Sequence, residues 1–391
     1  MFDEMPAKAE EAKKNFLKIP SERLLSLDVF RGMVMVALLA EGTEVYGSLR
    51  TLVKGHKGAG FLMPVIQQFF HHPWNGLRLW DLVQPAFMFI VGVAMVFSIN
   101  KRWERGDTWA KTFGHIARRC LILFLLGTGL HCVYNGKIVW ELWNVLTQLS
   151  VTVMITFLIM RLPRKVQFFI SLGLILVSDL SYRFIHIPPY DQTFVADKNF
   201  GSWMDMVLMG KLSKGHWVAV NCITTSAHTI WGSLAGQTIR GEWIQKRKAA
   251  VLAAAGLMAV LLGYIMDWGF GVEALRTPII KRICTSSFVI VSGGWCLLAL
   301  ALLFWLIEMK GWKRWAGFFA VVGMNSILIY LIKETITPGW LNGTVAIFVH
   351  GFLGALHISE PWMKVANAFV VLGLLWALCY FLYKRKIFIR I

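Results

Sequence analysis

Two adjacent histidines open the run His71-His72-Pro73-Trp74-Asn75-Gly76, a polar island set directly before an apolar stretch, and Asp81 follows it closely. A histidine side chain gains and loses its proton near neutral pH, with an unperturbed pKa of about 6.5. Held by a carboxylate, such a ring can work as a general base or as a proton-coupling group. Taken alone, the two histidines read as solvated anchors at a membrane face, where polar and aromatic residues commonly gather.

The elements that must position the island are apolar and long. The chain is 57% hydrophobic and only 16% charged, far more apolar than an ordinary soluble domain. Stretches such as 249–265, 288–307 and 365–382 suit a hydrocarbon slab that about 20 apolar residues cross. Eighteen Trp and 27 Phe fit interfacial belts and a bulky lipid-facing surface. The expected fold is all-α, a polytopic membrane helical bundle of about ten transmembrane helices. We place them near 27–47, 79–99, 115–134, 143–161, 165–183, 216–238, 249–268, 284–307, 315–333 and 363–384. The segment 341–357 is apolar but glycine-rich and holds His350; it reads as an interfacial or re-entrant piece on the outer face.

A net charge of +18 invites a nucleic-acid reading, but the basic residues alternate with the spans instead of forming one patch. Lys101, Arg102, Arg105, Arg118 and Arg119 fall on the same side as Arg161 and Arg164, Arg240 and Arg247, Lys310 and Lys313, and the tail Lys384 to Lys386. This positive-inside pattern places both termini in the cytoplasm. Residues 1–25 are polar and Lys-bearing, with no secretory signal core, and read as an amphipathic segment on the inner leaflet. Residues 26–391 form the membrane domain. The six cysteines lie in or beside apolar stretches and read as packing residues; neither a metal-ligand spacing nor a phosphate loop is visible. The first span runs outward, so Glu41 stands about 21 Å above Leu27 at roughly 1.5 Å per residue, level with the histidine island.

Five blocks in order resemble the heparan-α-glucosaminide N-acetyltransferase family and its bacterial relatives. They are Arg23 to Gly32, His71 to Leu77 with Asp81 to Pro85 and Phe89 to Gly92, Thr285 to Phe288, Gly323 to Ser326, and Tyr383 to Phe388. The resemblance implies transfer of acetyl from cytoplasmic acetyl-CoA, as co-substrate, to an amino sugar across the membrane. Its essential histidine matches His71. On that reading His71 is the base, or is itself acetylated, and Glu41 and Asp81 orient it or hold the amino group. Asp81 serves equally well as a helix cap. His72, Asn75, Asn325 and Ser286 are expected around the acceptor, and Asn325 reads equally as interhelical glue. The phosphates of CoA would rest on Arg118, Arg119 and Arg240, because guanidinium pairs with phosphate in a bidentate way. His228, in the polar stripe Thr224-Thr225-Ser226-Ala227-His228, reads either as glue between helices or as a lining of the CoA passage.

Two departures stand against this pattern: Glu41-Gly42 where relatives hold Asn, and Thr147-Gln148 where they hold Gln-Arg. The first bears on the acceptor, which is expected to be an amino sugar or envelope glycan outside a bacterial inner membrane. O-acetylation of an envelope sugar and proton-coupled sugar transport are the rival functions, and a non-catalytic scaffold explains the intramembrane polar residues poorly. The partners expected are the acceptor, CoA and the bilayer, with no nucleic acid and no metal; a homodimer is left open.

Overall fold

Residues 24–56 and 58–389 are described by a computed structural model. The expected amphipathic stretch lies outside the described residues except for its last two positions. Among the described residues the backbone is helical, and its only β pairings are two isolated bridges. That follows from the composition, because apolar surroundings require each segment to satisfy its own backbone polar groups.

The chain begins with α1 (Leu25–Gly42) and α2 (Val45–Gly55), separated by Glu44 in a left-handed conformation at φ 64°. A 3-10 turn at Leu79–Leu82 leads into α3 (Val83–Glu104), followed by α4 (Trp109–Asn135) and α5 (Val145–Ile159). Next come α6 (Arg164–Phe184), the short α7 (Phe200–Met209), α8 (Asn221–Arg240) and α9 (Gln245–Trp268). The last third holds α10 (Ser286–Leu303), α11 (Ala316–Gly323), α12 (Ser326–Thr335), α13 (Asn342–Ala355) and α14 (Glu360–Lys384).

Six helices among the described residues are long and apolar enough to cross a membrane, and the bent pair α11–α12, turning by 74°, makes a seventh when taken as one span. The chain is therefore a helical membrane protein. Three of the ten expected spans, 27–47, 143–161 and 216–238, do not meet that measure, for two physical reasons. Helix α5 has only 15 residues, about 22 Å of rise against a core of about 30 Å. Helix α1 is apolar but carries three charged residues, Asp28, Arg31 and Glu41, and α8 is polar, with Asn221, Thr224, Thr225, Ser226, His228, Thr229 and Ser233 buried. They pack within the bundle, where neighbouring helices replace lipid as their surroundings.

Helix α8 is the centre, packed on α3, α5 and α6. Its approach to α3 depends on two glycines. A Cβ at Gly92 would overlap the Thr229 carbonyl, and one at Gly232 would overlap the Phe89 carbonyl. Small residues let membrane helices approach this closely and gain dispersion contacts. Polar contacts add to the seam: Thr229 donates to Thr152 at 3.0 Å, and Trp231 donates to Ser171 at 2.8 Å. The described cysteines are all free thiols, four of them buried, as packing residues would be.

Candidate functional site

The histidine island is a loop, and its fold is set by one buried carboxylate. Asp81, 1% exposed, sits in the first turn leading to α3. Its Oδ1 accepts from His71 Nδ1 at 2.9 Å, while Oδ2 accepts from the backbone N–H of His72 at 3.2 Å and of Arg78 at 3.0 Å. Asp81 thus caps the turn and orients the ring at once, which unites the two roles read from the sequence. The loop is pinned again where Gly76 N–H donates to the Ile279 carbonyl at 2.8 Å. Gly76, at φ 140°, is needed there: a Cβ would lie 2.6 Å from the His72 ring.

This second tie brings Lys281 to His71. Lys281 Nζ lies 3.2 Å from His71 Nδ1, 3.7 Å from Asp81 Oδ1 and 5.5 Å from the centre of the Trp217 ring. The turn that carries it is tight, with Cys284 at φ 48° and its N–H donating to the Lys281 carbonyl. His71 Nδ1 cannot donate to Asp81 and accept from Lys281 together. The closer, charged carboxylate takes the proton, which leaves Nε2 with its lone pair. Burial holds His71 below the usual imidazole range, the Asp81 hydrogen bond opposes this, and the Lys281 charge adds to it. Burial likewise pulls Lys281 down to about 8 against the attraction of Asp81. The ring is therefore a neutral base at physiological pH.

His71 opens into a cavity of about 330 Å³ together with Glu41, Trp80, Gln84, His131, Gln148, Lys281, Tyr330, Lys333 and Glu334. The rise along α1 predicts Glu41 level with His71, and both line this cavity. Its carboxylate pairs with Lys333 at 2.8 Å, and Lys333 also pairs with Glu334 at 2.9 Å. A second cavity, about 250 Å³, is lined by Arg31, Ser98, Arg119, Leu149, Met324 and Ser326. Phe87, Val145 and Tyr330 line both, so the two lie end to end with these side chains between them. Arg31 is 3.5 Å from Asp28, and the buried Nε of Arg119 has no hydrogen-bond partner among the described residues. A buried guanidinium edge without a partner beside a second arginine is suited to an anion such as phosphate.

The other expected site residues take different places. Arg118 is exposed on the helix that turns Arg119 inward, and Arg240 forms an ion pair with Glu104. His228 lies between helices, its Nε2 2.9 Å from Ser292 Oγ and 3.1 Å from the Val289 carbonyl, so the structure favours glue over channel lining. Asn325 donates to the Ile387 carbonyl and accepts from Ile389 N–H, fastening the tail at the bend between α11 and α12. Ser286 donates to Asp179 at 2.7 Å. None of these five lines either cavity. His72 packs its ring on Gly76, and Asn75 is exposed where it pairs with Ile280. Sequence reading passed over Lys281, His131, Lys333 and Glu334. Each is an ionisable residue at or near a helix end, a signal shared with ordinary interfacial residues. Among the described residues no group of three or more His, Cys, Asp or Glu is placed to hold a metal ion.

No family model matches the chain. It is 30% identical to the heparan-alpha-glucosaminide N-acetyltransferase of Mus musculus over 139 residues, 34% of this chain and 18% of that protein. It is 24% identical to the heparan-alpha-glucosaminide N-acetyltransferase of Homo sapiens over 435 aligned positions, covering 94% of this chain and 60% of that protein. The chain thus spans less than two thirds of the length of either curated relative. At these identities the chain is a distant relative of an N-acetyltransferase, related along nearly all of its own length.

Proposed function

We propose that this protein is an integral membrane acyltransferase that moves acetyl from cytoplasmic acetyl-CoA to an amine-bearing sugar or envelope glycan on the opposite face. The observation that carries this reading is the pair of cavities meeting at Phe87, Val145 and Tyr330, with arginines at one end and a neutral imidazole at the other. Arg119 and Arg31 hold the phosphate end, and the thioester reaches toward His71. His71 Nε2 accepts a proton from the acceptor nitrogen as that nitrogen bonds to the carbonyl carbon. The carbon–sulfur bond then breaks, and His71 returns the proton to the departing thiolate. Asp81 keeps the ring in the tautomer that makes this transfer.

In this scheme α1, α5 and α8 cross the membrane inside the bundle, for ten crossings in all, and both termini face the cytoplasm of a bacterial inner membrane. Helix α13, 14 residues with no buried residue, lies at the outer face and does not cross. The test is His71→Ala in purified chain, assayed with radiolabelled acetyl-CoA and glucosamine. Transfer is expected to fall by more than about 10³-fold with helicity unchanged; a variant that acetylates at the wild-type rate refutes the role.

A further inference from the structure

The cavity that holds His71 holds a second imidazole built in the same way. His131, near the end of α4, has its Nδ1 2.5 Å from Glu141 Oε2, and Lys211 Nζ donates to Glu141 Oε1 at 2.8 Å. The pattern repeats His71, Asp81 and Lys281: a ring on a carboxylate that is itself paired with a lysine. Asn135 donates to the His131 carbonyl and also lies within reach of Glu141 Oε2 at 3.4 Å. With Nδ1 committed to the carboxylate, Nε2 is the nitrogen His131 has left for the cavity it lines.

The stoichiometry of amine acylation gives this second ring a purpose. An ammonium group loses one proton before it can attack and another as the amide forms. The departing thiolate takes up only one of them, so one proton per turnover must leave by another route. A hydroxyl acceptor loses a single proton, which the thiolate recovers, and needs no second base.

Resting on the acyl-transfer reading above, we propose that His131 is a second proton acceptor in this cavity, taking the ammonium proton of an amine acceptor while His71 handles the proton that goes to the thiolate. His131 Nε2 removes a proton from R–NH3+, becomes an imidazolium paired with Glu141, and passes that proton to water. The free R–NH2 then attacks, and His71 acts as described. The surrounding charges favour a cationic guest. Glu41 and Glu334 share Lys333, leaving one net negative charge, Lys281 is balanced by Asp81, and Tyr134 donates to Glu334 at 2.7 Å beside the His131 ring. The charged groups that His131 meets are Glu141 from its own following loop, Lys211 beyond α7, and Lys333 and Glu334 from α12. His71, Lys281 and Glu41 line the same cavity.

The experiment is acetyl transfer to glucosamine by the full purified chain from about pH 6.5 to about pH 9, a range that brackets the roughly 7.7–8.0 of an α-amino group, an amine lowered by an electron-withdrawing neighbour as a sugar amine is. His131→Gln is expected to lower kcat/KM about 15- to 30-fold at the acid end, the inverse of the neutral amine fraction there, and to approach wild type within about threefold at the basic end, where the amine arrives already neutral. Glu141→Gln keeps an acceptor for Nδ1–H and is expected to show a smaller deficit, about tenfold, that closes in the same way. His71→Ala stays inactive throughout. A His131→Gln enzyme equal to wild type at acid pH, or one with the same deficit at every pH, overturns the proposal; the second result would mean a purely structural clamp. A wild-type chain inert toward amine acceptors overturns the acyl-transfer reading itself, a different outcome from either.

Discussion

Replacing Asp81 with Asn changes one atom and tests the logic of the candidate site. The carboxylate is buried and accepts from His71, His72 and Arg78. An amide of the same shape turns an NH2 toward some of those donors and offers no charge to a ring that must become cationic. A hydrogen bond to a charged group contributes about 1.5–3 kcal/mol, worth about 10- to 150-fold in rate at 1.36 kcal/mol per decade. The tautomer adds to this. With the carboxylate gone, Nδ1 accepts from the new amide or from Lys281 at 3.2 Å, and the ring proton moves to Nε2, where the lone pair was needed. A carboxylate-to-amide change beside a catalytic imidazole costs about 10⁴-fold by this route, so kcat is expected to fall about 10³- to 10⁴-fold. The chain still folds, because Lys281, already pulled down to about 8, sheds its proton instead of remaining a buried charge without a counter-ion. The assay is single-turnover transfer from radiolabelled acetyl-CoA in detergent, with thermal unfolding as the folding control. A folded Asp81→Asn enzyme whose kcat stays within about threefold of wild type refutes both the tautomer assignment and the base role of His71.

Three further outcomes follow from the same geometry. The Lys281 charge lowers the His71 pKa, so Lys281→Met lets it rise, and the acid limb of the kcat/KM profile moves to higher pH; an unmoved limb refutes the coupling. Arg119→Gln removes the guanidinium edge of the second cavity and is expected to raise KM for acetyl-CoA about tenfold or more, with kcat nearly kept. An unchanged KM places the nucleotide elsewhere. Gly92→Leu drives a side chain into the Thr229 carbonyl and is expected to leave little monodisperse protein after detergent extraction, whereas Gly129→Leu, where a Cβ meets open space, extracts normally.

The legibility of this chain divides along a physical line. Hydropathy and the alternation of basic residues are properties of consecutive residues, so the membrane character and the helical class were readable directly. The run around His71 with Asp81 was readable too, because the partners lie only ten residues apart. Crossing length was less readable. A helix sheltered by its neighbours is free to be short or polar, as α5 and α8 are, and hydropathy cannot separate that from a soluble helix. Asn325 and His228 show the same limit: a buried polar residue reads alike whether it holds a ligand or a neighbouring helix, and only their observed partners place them in the scaffold.

What the sequence determined by itself was therefore the material: apolar helices, a polar loop at one face, and the side chains able to move a proton. The tertiary structure decided which of those side chains share a cavity. Lys281 reaches His71 across 210 residues of chain, and Lys333 pairs with Glu41 from another helix. His131 faces the same cavity from the end of α4. Such meetings depend on how close the helices come, and at the centre of the bundle that distance is set by glycines whose partners lie far away in sequence.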